Sequence, residues 1–136
     1  MSDTLNGSCA CGLVKFVLVD AKRNIINCHC HTCRKLNGGA FSSYIAVADD
    51  NFKLHEGQDV LTRYVVTENV DKHFCRVCGT PIYNKNRKYP GLIIVPLGAL
   101  DEVGQMRPTV NIYCDSKLSW VAMQGDTRDY PQGMTD

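Results

Sequence analysis

The sequence predicts a mainly β, small single-domain fold of several short antiparallel sheets, with very little helix and with zinc holding the chain together. Three observations support this prediction. Short segments rich in Val, Ile, Leu, Phe and Tyr recur along the chain, separated by turn residues. The length of 136 residues matches one domain and is enough to bury a core. Eight cysteines, most of them in close groups, favour metal binding over disulfides.

The first half of the chain contains a cysteine turn followed by five segments that we expect to form strands. The turn at residues 7–12 has a glycine at each end and carries Cys9 and Cys11. The later segments are rich in β-branched and aromatic residues, which favour a pleated backbone. In chain order, these predicted strands are Leu13–Asp20, Asn24–Cys28, Phe41–Ala48, Phe52–His55 and Leu61–Thr67.

One short helix is expected between the second and third of these strands. Thr32 is a suitable N-cap for a helix over residues 33–37, because its hydroxyl can accept a hydrogen bond from an unpaired backbone N–H group. Gly38 and Gly39 follow, and glycine commonly ends a helix because it adopts the left-handed conformation freely. The prediction therefore places Cys33 at the positive end of a helix.

The second half continues the strand pattern around a second cysteine turn, Cys75–Gly79. Pro81 has no N–H group, so its strand is expected at the edge of a sheet. The polar and basic residues 84–88 are expected to form an exposed loop, and residues 124–136 a loosely attached tail. The predicted strands are Val70–Phe74, Thr80–Tyr83, Gly91–Leu97, Val110–Cys114 and Leu118–Met123.

Composition and charge argue against several classes of function. The chain has 15 basic and 14 acidic side chains, so its net charge is +1 and no nucleic-acid surface is indicated. The longest apolar run, residues 92–95, is too short to span a membrane. The N-terminus, Met1–Thr4, is polar and does not match a signal peptide. We therefore expect a cytoplasmic protein whose thiols stay reduced, and the sequence does not indicate its oligomeric state.

Two cysteine pairs match a closed zinc site. Cys9 and Cys11 form one pair and Cys75 and Cys78 the other, and each lies in a glycine-containing turn. Such turns can direct two sulfurs at one ion and donate backbone hydrogen bonds to them. Four thiolates around one ion make the tetrahedral arrangement of structural zinc. The alternative is that the four cysteines are buried thiols that bind no metal. The occurrence of two pairs in turns argues against it, because such pairs are typical of metal sites.

A second group of cysteines supplies three ligands rather than four. Cys28, Cys30 and Cys33 fall within six residues, at the end of a predicted strand and the start of the predicted helix. The partial positive charge of a helix N-terminus stabilises a thiolate. Three thiolates on zinc leave one coordination position open, as in catalytic zinc sites. A three-ligand site should also hold its metal less tightly, so we expect this zinc to be partly lost during purification.

The roles of three other residues near this group remain open. His29 and His31 alternate with the cysteines, so an extended segment would direct them to the opposite side. Each could hydrogen-bond to a metal-binding cysteine without binding the metal itself, or could be an ordinary core or surface side chain. Cys114 could complete the coordination as a fourth ligand. Its place in an apolar predicted strand instead favours a small core residue.

Four motifs together resemble the glutathione-dependent formaldehyde-activating enzyme family, which includes the relatives of centromere protein V. These motifs are Gly-Ser-Cys-Ala-Cys-Gly at 7–12, Cys-His-Cys-x-x-Cys-Arg-Lys at 28–35, Phe-Cys-x-x-Cys-Gly-Thr-Pro at 74–81, and Tyr-x-Asp-Ser-Lys-x-x-Trp at 113–120. The resemblance covers nearly the whole chain. It implies a single zinc-binding domain of this type over residues 1–136, with a core of about 5–123.

The resemblance also implies an activity and roles for the cysteines. Cys9, Cys11, Cys75 and Cys78 match the structural zinc ligands of the family. The second set, Cys28, Cys30 and Cys33, matches the ligands of a catalytic zinc, which gives two zinc ions per chain. The family activity adds glutathione to formaldehyde and is classed as carbon–sulfur lyase chemistry. We therefore expect an enzyme acting on a small thiol and a small aldehyde, and the residues that would bind glutathione are not indicated.

Two other functions remain open at this stage. In the first, both metals are structural and the chain is a non-enzymatic zinc-binding module that acts through a protein partner. In the second, the Cys28–Cys33 segment releases metal on oxidation and serves as a redox or zinc sensor. The three-cysteine group and the family resemblance favour the enzyme over both.

Overall fold

The computed structural model describes residues 4–21, 24–104 and 106–134. Within these residues it has eleven strands, one α-helix and three short 3₁₀ helices. The mainly β prediction is therefore confirmed. In chain order the elements are β1 (Leu5–Ser8), β2 (Lys15–Leu18), β3 (Ile25–Cys28), α1 (His31–Asn37), β4 (Ser42–Ala48), β5 (Phe52–Glu56), β6 (Leu61–Val65), β7 (Val70–Cys75), β8 (Pro81–Asn86), β9 (Leu92–Pro96), β10 (Pro108–Ile112) and β11 (Arg128–Asp129), with 3₁₀ helices at Asp49–Asn51, Leu97–Ala99 and Cys114–Ser116.

The chain divides into two compact units, and β4 runs from one into the other. The first unit takes residues 1–22 and 45–104, and the second takes residues 23–44 and 105–136. Each unit contains one of the two predicted cysteine groups. Residues 1–3, where a polar N-terminus without a signal peptide is predicted, lie outside the described part of the chain.

The first unit contains an antiparallel three-stranded sheet in the order β1–β2–β5. Phe16 and Leu18 on β2 point to the same side, as alternation along a strand requires, and both are fully buried. Gly7 on β1 lies opposite Phe16, and a side chain at this glycine would clash with the phenyl ring. The sequence thus places its smallest residue where the core side chain approaches the backbone most closely.

The same unit contains an antiparallel run of four strands, β6–β7–β8–β9. Short hairpins join these strands, and β7 ends at the buried Cys75. The expectation that Pro81 marks an edge strand is wrong, because β8 pairs with β7 on one side and β9 on the other. Pro81 is the first residue of β8, where a missing N–H group removes little from the sheet. The residues predicted as an exposed loop lie partly in this strand, which extends to Asn86.

The second unit contains parallel strand pairs, which the sequence prediction did not include. β10 runs parallel to β3 and also parallel to β11. Residues 128–129 were expected to belong to a loosely attached tail, and instead they form β11. The backbone continues this attachment, since the N–H groups of Tyr113 and Cys114 donate to the carbonyl oxygens of Gln132 and Tyr130. The described part of this tail is therefore a structural part of the second unit.

Two other predictions for this unit are wrong. Residues 118–123 form no strand, although five of the six are apolar. No described strand pairs with their backbone, so local preference alone does not determine the conformation. Cys114 lies in the 3₁₀ helix after β10 rather than in an apolar strand, and it is half-buried.

The described helices are all short. None has both the length and the apolar character needed to cross a membrane.

Candidate metal centres

The first unit brings together four cysteine sulfurs. The Sγ atoms of Cys9, Cys11, Cys75 and Cys78 lie within 4.8 Å of one another. The Sγ atom of Cys11 is 3.5 Å from that of Cys9 and 3.8 Å from that of Cys75. Cys9 and Cys75 are buried, so two of the four sulfurs face away from solvent. The grouping predicted from two sequence pairs 64 residues apart is therefore present.

Two similar turns position these sulfurs. In each turn a glycine N–H group donates to the carbonyl oxygen of the first cysteine, from Gly12 to Cys9 at 3.0 Å and from Gly79 to Cys75 at 2.8 Å. Both glycines have φ near +80°, a conformation that other residues rarely adopt. The turns thus fold the backbone tightly around the place where the sulfurs converge.

Thr80 connects the two turns. Its Oγ1 accepts a hydrogen bond from the backbone N–H group of Ala10 at 3.0 Å and lies 3.2 Å from the Sγ atom of Cys78. Hydrogen bonds from the Thr80 hydroxyl and backbone lower the pKa of the Cys78 thiol to about 5. The backbone N–H group of Val14 donates to the Sγ atom of Cys9 at 3.2 Å. Such donors favour the thiolate form that binds metals.

The second unit brings together three cysteine sulfurs. Cys28 ends β3, Cys30 is the N-cap of α1 and Cys33 lies in its first turn. Their Sγ atoms lie within 4.8 Å of one another, with 3.3 Å between those of Cys28 and Cys33. All three are at least partly buried. The predicted three-cysteine group is therefore present.

The start of the helix differs from the sequence prediction. The N-cap is Cys30, not Thr32, and its Sγ atom accepts a hydrogen bond from the backbone N–H group of Cys33 at 3.2 Å. A sulfur thus takes the place that a hydroxyl oxygen usually occupies in a capped helix. The helix ends as predicted, with Gly38 in the left-handed conformation and its N–H group bonded to the carbonyl oxygen of Arg34.

Tyr44 is a contact of this group that sequence reasoning missed. Its hydroxyl donates to the Sγ atom of Cys33 at 3.4 Å and accepts from the Nδ2 atom of Asn37 at 3.0 Å. The side chain is buried, and this burial, together with the charge of Cys33, raises the tyrosine pKa. The hydroxyl therefore stays protonated and remains a hydrogen-bond donor to sulfur. A lone tyrosine in a predicted strand gives no sequence signal for this role.

Hydrogen bonding among the three thiols separates their acidities. Hydrogen bonds from Cys28 and Cys33 lower the pKa of Cys30 to about 2. Hydrogen bonding with Cys30 and Cys33, together with burial, raises the pKa of the Cys28 thiol well above its usual value. The group therefore holds one thiolate readily and resists a second. A bound cation would offset this repulsion and allow all three to ionise, with release of protons.

Arg34 serves the local structure. Its Nη1 atom donates to the carbonyl oxygens of His29 and Ser116, both at 2.7 Å. The guanidinium group therefore ties the helix to the segment before it and to the 3₁₀ helix after β10. Lys35, the next residue, is exposed.

The remaining candidate residues lie outside the sulfur group. His29 is buried, and its Nε2 atom lies 2.9 Å from Oδ1 of Asn111. His31 is exposed at the first position of α1. Cys114 does not join the three sulfurs, and burial raises the pKa of its thiol. Within the described residues, the second group thus provides three sulfur donors and no fourth.

Comparison with known proteins now identifies the family. A family model described as glutathione-dependent formaldehyde-activating enzyme matches residues 4–116, which include all seven cysteines of the two groups. The chain belongs to this family. The resemblance seen in the sequence motifs is confirmed.

Two similar proteins are informative. A protein from Halomonas elongata, provisionally assigned as a glutathione-dependent formaldehyde-activating enzyme, is 26% identical over 132 residues, which cover 92% of this chain and 84% of the relative. A crystal structure of a Rhodobacter sphaeroides protein has a TM-score of 0.63 at 23% identity and covers 74% of this chain and 92% of its own. The second relative supports the fold alone.

The donor sets of this family member fit metal ions. Both groups consist of thiols, which as thiolates are soft ligands suited to zinc and similar cations. Each group places its sulfurs close enough to share one ion. The first supplies the four ligands of a closed site, and the second supplies three. Both cysteine groups could therefore hold a metal ion.

Proposed function

We propose that this protein is a zinc-dependent enzyme of the carbon–sulfur lyase type, which joins glutathione or a related small thiol to formaldehyde or a related small aldehyde. The observation that carries the proposal is the three-sulfur group of Cys28, Cys30 and Cys33, which supplies three of the four ligands that zinc usually takes. The family model adds support, because its description includes both reactants.

The proposal gives the two cysteine groups different roles. Cys9, Cys11, Cys75 and Cys78 would hold a structural zinc ion. The second group, Cys28, Cys30 and Cys33, would hold a catalytic one. Zinc bound there would supply an acidic centre at which a thiol ionises and an aldehyde oxygen is polarised.

The chain's own residues would keep the second group in order during the reaction. The Cys33 sulfur accepts a hydrogen bond from Tyr44, and the Cys30 sulfur accepts one from the backbone. Asn37 fixes the direction of the Tyr44 hydroxyl and also donates to Ser42 at 2.6 Å. These contacts restrict the movement of the sulfurs, so that less reorganisation is needed when the reactants bind.

The proposed reaction forms one bond and moves one proton. The thiol sulfur forms a bond to the aldehyde carbon, and the electron pair of the C=O double bond moves to the oxygen. That oxygen takes up a proton in exchange for the one that the thiol loses, so the product is a hydroxymethyl thioether. The reverse reaction breaks the carbon–sulfur bond and returns the same two molecules.

A cytoplasmic location is part of this proposal. All eight cysteines are free thiols, and the seven in the two groups must stay reduced to bind metal. A reducing compartment would maintain that state.

The test is a measurement of exchange between glutathione, formaldehyde and their adduct, using zinc-loaded protein. Because the adduct also forms without a catalyst, NMR exchange rates at equilibrium are more informative than yields. We expect the wild-type chain to accelerate the exchange, Cys33→Ser to lose the acceleration, and Cys114→Ser to retain it. If neither glutathione nor another small thiol exchanges faster with the protein present, the enzymatic proposal is wrong and a non-enzymatic zinc module is favoured.

A further inference from the structure

A pocket of about 270 Å³ lies within the second unit, and the proposed reaction does not use it. Asn27 on β3, Ser43 on β4 and Asn111 on β10 line its wall. The segment after residue 120 supplies most of its other side, including Ala122 and Gln124, which are exposed at its rim. The pocket therefore joins a buried sheet surface to solvent.

The pocket and the three-sulfur group lie on opposite faces of the same strands. Asn27 lines the pocket, whereas the next residue, Cys28, contacts the Cys33 sulfur. On β4, Ser43 lines the pocket and the next residue, Tyr44, donates to Cys33. Side chains alternate between the faces of a strand, so this pattern separates the two sites. A molecule in the pocket would not be at the proposed reaction centre.

The described residues that line the pocket are both polar and apolar, and none of them is Lys, Arg, Asp or Glu. Asn27, Ser43 and Thr127 offer amide and hydroxyl groups, and Phe41 and Val121 offer apolar surface. A charged ligand would have to give up water without gaining an oppositely charged partner, which is costly. The two carboxylates of glutathione are therefore poorly suited to this pocket, and an uncharged ligand is favoured.

His29 also lines the pocket, and a hydrogen-bond network determines which of its ring nitrogens carries hydrogen. Nδ2 of Asn111 donates to Oδ1 of Asp129 at 2.9 Å and to Thr127 at 3.1 Å. The carboxylate only accepts, so the other end of the amide, Oδ1, faces His29. This oxygen is also an acceptor, and therefore the Nε2 atom of His29, 2.9 Å away, must donate.

With its hydrogen on Nε2, the imidazole ring of His29 offers the Nδ1 atom as an acceptor. The side chain is 1% exposed, and Nδ1 is the one buried side-chain nitrogen or oxygen among the described residues that has no hydrogen-bond partner. Buried polar atoms in proteins are nearly always paired, because an unpaired one loses its hydration without compensation. An unpaired nitrogen on a residue that lines a pocket points to a donor from outside the chain.

We propose that this pocket binds a small uncharged molecule whose hydroxyl group donates a hydrogen bond to the Nδ1 atom of His29. The ring of Phe41 lies against the imidazole, with 5.0 Å between centroids, and also lines the pocket. Because Nδ1 is buried, binding requires a shift of the groups around it, and the half-buried Phe41 is the neighbour that both contacts the ring and lines the pocket.

The size of the pocket sets the class of ligand. Cavities of about 150 Å³ can hold benzene. A pocket of about 270 Å³ therefore has room for a ring or short chain of that size with a hydroxyl group. Phenol is a suitable probe, because it combines an apolar body with one hydroxyl donor. Benzene is its matched control without the donor.

The experiment is a titration of zinc-loaded full-length protein with phenol and with benzene, followed by nitrogen NMR of labelled histidine rings. Signals are assigned by replacing His31, His55 and His73 in turn with Gln, which leaves His29 by elimination. We expect phenol to bind saturably and to shift the Nδ1 signal of His29. Benzene should bind about fivefold more weakly, as the loss of one hydrogen bond implies, and should leave that signal in place.

Two variants test whether phenol binds in this pocket. Ala122→Phe puts a ring at the exposed rim and should weaken phenol binding by about tenfold or more, a change well resolved in a titration. Ser119→Phe adds the same ring at an exposed residue outside the lining and should not weaken it. Equal affinity for phenol and benzene, an unmoved Nδ1 signal at saturation, or no saturable binding would each overturn the proposal; the last would indicate that ordered water alone fills the pocket.

Discussion

The hydroxyl of Tyr44 donates a hydrogen bond to the Sγ atom of Cys33 across 3.4 Å. Both residues lie in the second unit, and the tyrosine is buried. Burial keeps its hydroxyl protonated, and a hydrogen bond from Asn37 fixes the orientation of that hydroxyl. The contact connects a strand of the fold directly to one of the proposed metal ligands, so the fold influences how well that ligand binds.

Replacement of Tyr44 by Phe should weaken metal binding at the three-sulfur group. The variant keeps the ring that fills the core and removes only the donor to sulfur. Partners of metal ligands typically change metal affinity by 10- to 100-fold, so we expect a loss of about tenfold. Competition for zinc with a coloured chelator measures this affinity.

Tyr64→Phe is the matched control for that experiment. Tyr64 lies on β6 in the first unit and is 54% exposed. Removal of its hydroxyl should leave the zinc affinities of both cysteine groups unchanged. Equal zinc affinity in the Tyr44→Phe and wild-type proteins would show that the hydrogen bond has no effect on metal binding.

Loss of one sulfur from the four-cysteine group should destabilise the fold. Cys75 is completely buried at the end of β7, and Cys75→Ser leaves an incomplete set of ligands. Structural zinc contributes on the order of 10 kcal/mol in small zinc peptides. This is comparable with the whole stability of a typical domain, about 5–15 kcal/mol. We expect the variant to lose one zinc ion and to unfold at much lower urea concentration, as followed by circular dichroism.

Cys114→Ser tests whether any cysteine would have this effect. Cys114 belongs to neither group, so its replacement should leave the zinc content unchanged and cost far less stability. A similar loss of stability in both variants would remove the special role of the four-cysteine group.

Tyr83 should make the protein less stable in alkaline solution. Burial raises its pKa above the usual value of 10, and its ring stacks on that of His73 with 4.2 Å between centroids. Above pH 10 the unfolded chain loses the phenolic proton while the folded chain still holds it. The contribution of this proton to stability is complete below pH 10 and is lost as the pH rises through the folded pKa.

Tyr83→Phe keeps the stacked ring and removes the titration. Unfolding by urea, measured at neutral pH and in steps above pH 10, should show a smaller alkaline loss of stability in this variant than in the wild type. Tyr64→Phe should follow the wild-type curve. Parallel curves for Tyr83→Phe and the wild type would contradict the prediction.

The sequence predicted the features that depend on local patterns. Paired cysteines beside glycines indicated the two turns, and Gly38 marked the end of the helix. Most of the predicted strands are present with bounds that differ by a few residues, because β-branched and aromatic residues favour an extended backbone wherever a partner strand exists. The cysteine spacings also predicted the three-sulfur group, since its members lie within six residues. The joining of the two distant turns was predicted from the four ligands that a closed zinc site needs.

Features that depend on distant partners could not be predicted. The mostly apolar residues 118–123 suggested a strand, yet no described strand pairs with them. The contact of His29 with Asn111 joins residues 82 positions apart, through the parallel pairing of β3 and β10. Tyr44 likewise reaches Cys33 only because of how β4 lies beside α1. These contacts follow from tertiary packing, which the local sequence does not encode.

The central claim is that Cys28, Cys30 and Cys33 hold a metal ion with one position open to a thiol. Cadmium NMR of cadmium-loaded protein tests it most directly, because each ion gives its own signal and the signal position reports the number of sulfur ligands. We predict two signals, one typical of four thiolates and one of three, and glutathione should move the second alone. Two four-thiolate signals, both unmoved by glutathione, would contradict the claim.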